Sequence, residues 1–251
     1  MAGCSGAGQA KNLTLEEVLR AGLSDLPQTF RLPAHHWKVL HALCACHTEA
    51  LGGHRYRCQD CGQEHFAPNG CGNRHCPSCQ KLESAQWLEG QMEHVLPIPY
   101  FHVVFTLPHR LNPLIQHNQQ PLYNLLFASA SATLLKFGRN NLQATLGITA
   151  VLHTWSQTLL DHYHLHCVVT GGGLSLDGKR WIPRSSQWLF PTRALSEVFR
   201  GEFRDGLQQL FNKKKLTFPP AEPSLSDPAA FAGYLREVCQ PKWVVYTKRP
   251  F

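Results

Sequence analysis

The sequence predicts an α+β protein in two parts: a small cysteine-rich N-terminal module, then an antiparallel sheet with helices on one face. Three observations predict it. Seven of the ten cysteines fall between Cys44 and Cys79. Beyond Pro97 and Pro99, short alternating segments interleave with longer ones whose apolar residues recur at helical spacing. Asp177-Gly178, the strongest hairpin signal in the chain, lies between two short apolar segments.

Composition narrows the class. With 251 residues, 43% hydrophobic and 16% charged, the chain can bury a core and is not a disordered polyampholyte. No apolar run approaches the roughly 18 residues of a membrane span, and no membrane partner is expected. The first residues lack a basic stretch followed by an apolar one, so a cytoplasmic setting is expected, nucleoid-associated when bound to DNA. Lys and Arg number 24 against 17 Asp and Glu, a formal charge of +7. That balance suits a polyanion partner without identifying one. In a reducing compartment disulfides are disfavoured, and clustered cysteines read as metal ligands.

The elements follow in order. Residues 1–12 are rich in Gly and Ala and read as loose. Thr14-Leu15-Glu16-Glu17 has the capping-box spacing, opening a short helix to about Arg20; this first segment is residues 1–32. Pro33 opens a helix over Ala34–His47, with Trp37, Leu40, Leu43 and Cys44 at helical spacing. From Gly52 to Gln80 the chain is too poor in apolar residues to organise itself. A polar helix over Lys81–His94 ends a module of residues 33–95. In residues 96–251, Tyr100–Leu107 reads as a strand and 120–137 as a helix. Thr149–Thr154 and His164–Thr170 read as strands, the second broken by Gly171-Gly172-Gly173. Leu174–Leu176 and Arg180–Ile182 flank the Asp-Gly turn. Helices near 193–212 and 227–239 precede a last strand, Trp243–Thr247.

Cys58-x2-Cys61 and Cys76-x2-Cys79 are two knuckles separated by 14 residues. Each aims two thiolates from a tight turn, and two such turns complete a tetrahedral S4 site of the zinc-ribbon kind. Such a closed site folds a module rather than catalyses. Cys46, His54, Cys71 and His75 supply a second possible Cys2His2 set; the alternative is solvated histidines and a core cysteine. Arg55, Arg57, Arg74 and Lys81 surround the cluster, either offsetting a negatively charged zinc–thiolate centre or contacting phosphate.

His164-Leu165-His166 lies in an apolar run. In a strand, the two imidazoles share one face while Leu165 enters the core. Such a pair can chelate one divalent ion, and an ion there can polarise a phosphodiester. The pattern is weak alone, and the spacing identifies no third ligand. Gly173-x4-Gly178-Lys179 imitates a phosphate-binding loop but is followed by Arg180, and the hairpin explains it better. Lys213-Lys214-Lys215 reads as a solvated helix end or a phosphate contact. Trp155, Trp181 and Trp188 read as core aromatics or base-stacking groups.

Two sets of segments then point one way. Ala45–His54 (ACHTEALGGH), Tyr56-Arg57-Cys58 and Asn73–Gln80 (NRHCPSCQ) resemble the zinc-binding domain of insertion-sequence 91 family transposases. Phe101–Pro108 (FHVVFTLP), Leu152–Leu159 (LHTWSQTL), His164–Trp181 and Trp243–Phe251 resemble the His-hydrophobe-His rolling-circle nuclease domain that follows it there. The resemblance implies transposition by nicking and joining single-stranded transposon-end DNA through a phosphotyrosine. It makes His164 and His166 ligands of Mg2+ or Mn2+, beside structural Zn2+. Catalytic tyrosines in that family form a Tyr-x-x-x-Tyr pair after the Lys-Arg-Pro-Phe segment, and no such pair occurs among the six tyrosines here. The expectation is a nuclease domain incomplete at its C-terminus, hence a truncated, nicking-deficient transposase. The alternative is a non-catalytic zinc-dependent DNA-binding protein that regulates a full-length transposase. A metal-dependent hydrolase of small molecules needs further ligands after His166 that the sequence does not offer.

Overall fold

The computed structural model describes residues 13–23, 25, 31–158, 160–184 and 186–251. The stretch read as loose, residues 1–12, lies outside them. The chain divides into two compact units, Met1–Leu96 and Pro97–Phe251.

In the N-terminal unit, α1 (Leu15–Leu23) starts at the capping box: Glu17 N–H donates to Thr14 Oγ1 at 3.2 Å, and Thr14 N–H to Glu17 Oε2 at 2.9 Å. It packs against α2 (Ala34–Ala45). An antiparallel hairpin follows, β1 (Gly53–Arg57) with β2 (Glu64–Pro68). The last helix, α3 (Pro77–Met92), begins four residues before the expected Lys81. Pro77 at its first position is pre-set for a helix, and the Cys76 sulfur accepts the Cys79 N–H as a cap. The second Cys-x-x-Cys is therefore a helix N-terminus. Among the described residues of this unit, Leu43, Cys46 and Cys76 form the buried apolar cluster.

The C-terminal unit contains β3 (Tyr100–Thr106), α4 (Asn112–His117), α5 (Gln119–Phe137), β4 (Ala144–Trp155), β5 (Asp161–Ser175), β6 (Trp181–Pro183), α6 (Thr192–Asn212), α7 (Pro228–Cys239) and β7 (Val245–Thr247). Its sheet runs β4-β5-β3-β7, with β6 on the far part of β5. Among the described residues every strand pairing of this sheet is antiparallel. The short α4 was not legible in advance.

Strict alternation separates the two sheet faces. Phe101, Val103 and Phe105 of β3, and Leu165, Cys167 and Val169 of β5, are buried, while His102, Val104, His164 and His166 between them are half-exposed. The buried row meets Leu122, Leu126 and Leu134 of α5 and Phe199, Phe203 and Leu207 of α6 in one apolar core. The other face carries the histidines.

The three glycines at 171–173 do not end the strand, contrary to the expectation: β5 runs through them to Ser175. A Cβ at each would lie within about 2.5 Å of a backbone oxygen, of Pro99, Ile182 and Thr145 respectively. Gly172 also sits at φ +143°, where a side chain is strained. Glycine here permits close approach of three segments. The Asp-Gly turn then forms as expected, with Gly178 N–H donating to Ser175 O at 2.8 Å and Ser175 Oγ to Asp177 Oδ1. Among the described residues no helix is long and apolar enough to cross a membrane.

Candidate metal centres

The N-terminal unit gathers four sulfurs. Cys46 follows α2, Cys71 lies in the loop after β2, and Cys76 and Cys79 open α3. Cys46 Sγ is 3.5 Å from both Cys76 Sγ and Cys79 Sγ, and Cys71 Sγ is 3.8 Å from Cys79 Sγ. All four lie within 4.8 Å of one another. A tetrahedron with Zn–S bonds of ~2.3 Å has S···S edges of about 3.8 Å, so this donor set fits zinc. Backbone N–H groups of Cys71 and Cys79 point at the sulfurs of Cys46 and Cys76. Burial pushes the Cys46 thiol up to about 11 and Cys76 higher still, so without a cation neither thiolate is at home. Cys76 Sγ also donates to Glu16 Oε1 at 3.0 Å, a contact that holds this carboxyl down at about 2. Gly70 makes the cluster possible: a Cβ there would meet Cys79 Sγ at 2.8 Å.

This set differs from the expected ones. Cys58 and Cys61 do not join Cys76 and Cys79; they are exposed in the β1–β2 turn. That turn is still a knuckle, with Gly62 N–H donating to Cys58 O and Gly62 at φ +71°. N–H groups of Cys61 and Asp60 hold the Cys58 thiol below its ordinary value. Nor do His54 and His75 join Cys46 and Cys71: His54 is exposed on β1, and His75 Nε2 accepts from Arg74 Nε at 3.3 Å. The physical reason is that a Cys-x-x-Cys sets local geometry only. Which turns share an ion depends on helix packing, and here α2 delivers Cys46 to the start of α3. Arg55, Arg57, Arg74 and Lys81 are all exposed.

The C-terminal unit gathers three imidazoles on the open sheet face. His164 and His166 project together from β5, as alternation required. His153 of β4 stands directly opposite His164 in the register. Ring centroids lie 4.3 Å apart for His153 and His166, 4.9 Å for His164 and His166, and 5.2 Å for His153 and His164. A ligand nitrogen from each falls within 4.8 Å of the others.

Other contacts fix these rings. His164 Nδ1 lies 2.8 Å from the carbonyl of His162, and His166 Nδ1 lies 2.7 Å from His102 Nε2. Nε2 of each ring is then the nitrogen left for an ion. Desolvation, then the neighbouring His153, His164 and His102, lowers His166 to about 4; desolvation and His164 lower His153. Both shifts favour the neutral ring, the form in which an imidazole binds a divalent cation. His162 pairs with His109 at 2.8 Å. Trp155, Ser156, Gln157, Thr158 and His162 line, with the triad, a cavity of about 610 Å³.

Sequence reading missed His153, His102 and the His109–His162 pair. A signal for His153 was present: it sits at an alternate position of the expected Thr149–Thr154 strand. Only the β4–β5 register, a long-range pairing, places it opposite His164.

Comparison with known proteins agrees with both units. Residues 18–107 match the family model described as "Transposase zinc-binding domain", and residues 147–251 the one described as "Putative transposase". The chain belongs to the insertion-sequence 91 family of transposases. It is 44% identical over 216 residues to "Putative transposase y4qJ" of Sinorhizobium fredii, covering 85% of this chain and 54% of that protein. It is 36% identical over 138 residues to the transposase for insertion sequence element IS801 of Pseudomonas savastanoi pv. phaseolicola, covering 54% of this chain and 33% of that one. The chain thus spans about half or less of these relatives' lengths. Among solved structures it is similar to the conjugative relaxase TrwC in complex with oriT DNA, at 19% identity and TM-score 0.34 over 43% of this chain and 44% of that one.

Proposed function

We propose that this chain takes part in DNA transposition by nicking and joining single-stranded DNA at a transposon end, with strand cleavage centred on His153, His164 and His166. The triad carries this reading. Three imidazoles converge on an open face, with two rings held by outer contacts and an adjoining cavity. His153, His164 and His166 would hold a divalent ion such as Mg2+ or Mn2+, which would supply Lewis-acid polarisation of a scissile phosphate. The chain's own contribution is to bring three nitrogens within 4.8 Å of one another, with His102 holding His166 and the His162 carbonyl holding His164. Relatives of the same family are named as transposases, and the TrwC structure holds DNA, in keeping with a DNA substrate.

The four sulfurs of Cys46, Cys71, Cys76 and Cys79 serve as the structural Zn2+ site, since their S···S separations match a zinc tetrahedron.

A second reading is a zinc-dependent DNA-binding protein that regulates a full-length transposase. Tyr163 and Tyr234 are buried, with both phenols raised well above their ordinary range by desolvation, so neither is an accessible nucleophile. Incubating the chain with single-stranded transposon-end DNA and Mn2+ separates the two. A covalent protein–DNA adduct on a denaturing gel supports cleavage; binding without an adduct supports regulation.

A further inference from the structure

The open face of the sheet carries two exposed aromatics that the metal chemistry does not use. Trp155 ends β4 and is 53% exposed, stacked at 4° on His153 with centroids 5.7 Å apart. Tyr246 of β7 is 52% exposed. Val104 pairs with His166 on one side and with Tyr246 on the other, so Tyr246 lies in the same row as His166. Two strand spacings of ~4.8 Å separate them. The ladder continues as Lys248 N–H donates to His102 O at 2.9 Å. Tyr246, Lys248, Arg249 and Trp188 line a cavity of about 550 Å³. Trp155 lines the cavity of the triad. Neither cavity is lined by Asp or Glu.

We propose that this face is a single-stranded DNA track in which Trp155 and Tyr246 stack bases on opposite flanks of the histidine triad, with Lys248 and Arg249 on the phosphates. Each part follows from chemistry. Exposed aromatics on an open sheet suit unpaired bases, whose π-faces are available only when the strand is single. Cations without neighbouring carboxylates suit a polyanion. The position of the platforms, one strand away on β4 and two strands away on β7, sets a backbone across the triad. An apolar protein partner would not call for the cations, and a duplex would hide the bases. The track rests on the reading of the triad as a strand-cleavage centre, but its test does not.

The test measures fluorescence anisotropy of a labelled 20-residue oligodeoxythymidine with the full chain, without added Mg2+ or Mn2+. Trp155→Ala and Tyr246→Ala each weaken binding roughly tenfold, whereas Tyr246→Phe binds within about twofold of wild type because its ring still stacks. Lys248→Gln lowers the slope of log affinity against log salt by about 0.7. A 20-base-pair duplex binds more weakly and is indifferent to both aromatic substitutions. Circular dichroism verifies that the variants fold. Unchanged affinity in both alanine variants, or no binding by wild type, overturns the track. A separate Mn2+ titration followed by electron paramagnetic resonance decides the triad. Absent Mn2+ binding with the aromatic effects intact refutes the cleavage reading and leaves the track standing.

Discussion

The two units gather their ligands by opposite means. In the C-terminal unit sheet and helices share one continuous apolar core, and the triad histidines lie outside it. In the N-terminal unit the buried cluster is Leu43, Cys46 and Cys76, so two of its three members are themselves sulfur donors. One unit packs a core and carries the histidine cluster outside it. Among its described residues, the other buries little besides two of its own sulfurs, the situation in which a bound ion supplies folding free energy. The lesson is that cysteine and histidine sites call for different tests: losing the first removes a fold, losing the second a chemistry.

The sharpest test of that contrast is substitution of a sulfur ligand. Cys76→Ser or Cys46→Ser should abolish zinc retention, read by elemental analysis, and make residues before Leu96 sensitive to limited proteolysis. In zinc-finger peptides the ion supplies ~10–16 kcal/mol of folding free energy, so this is the largest effect expected. The C-terminal unit should stay protected. Equal sensitivity in both units would break the comparison.

Next comes His153→Ala. Calorimetric titration should show Mn2+ affinity falling at least ~100-fold, with the unfolding temperature nearly unchanged, because the side chain contributes to no core. His102→Ala, which removes only the contact to His166 Nδ1, should cost ~10–100-fold. An unfolding temperature that drops by many degrees in His153→Ala would mean that the triad is structural after all.

Acid should act through the same histidines. His166 titrates near 4 in the folded chain because of desolvation and its histidine neighbours, against an ordinary value of 6.5. Between those values the unfolded chain binds more protons, so stability falls as pH is lowered from about 6.5 to about 4. His153 and His102 are lowered in the same direction, chiefly by burial. Thermal unfolding of the C-terminal unit across that window should show the decline, and saturating Mn2+ should steepen it. A flat profile would contradict the depressed values.

The smallest effect is expected where the sequence alone pointed first. Cys58→Ser with Cys61→Ser should leave one zinc bound at Cys46, Cys71, Cys76 and Cys79. Loss of that zinc would show that the exposed knuckle is joined to the cluster in solution.

Much of the fold was legible because its signals are local. The capping box at Thr14, the alternation of Tyr100–Thr106 and the Asp-Gly turn each need only a few adjacent residues, and parity alone put His164 and His166 on one face. What stayed illegible depends on pairing across the chain. His153 joins the histidine triad through β4–β5 register, and Cys46 joins the sulfur cluster from the end of α2. The glycines at 171–173 looked like a break because glycine disfavours strands in general; close backbone approach, a tertiary fact, is what uses them here.

The alternation of β3 and β5 has a consequence for how this domain tolerates lengthening. Core and chemistry occupy odd and even positions of the same strands, so one inserted residue before His164 exchanges them over every position it shifts: imidazoles into the apolar layer, leucine and valine into water. Two inserted residues preserve parity and merely slide the ladder. In lineages of this domain, length changes in these strands should therefore come in pairs or be absorbed as bulges, as β4 already does at Leu146/Ile148 and His153/Trp155.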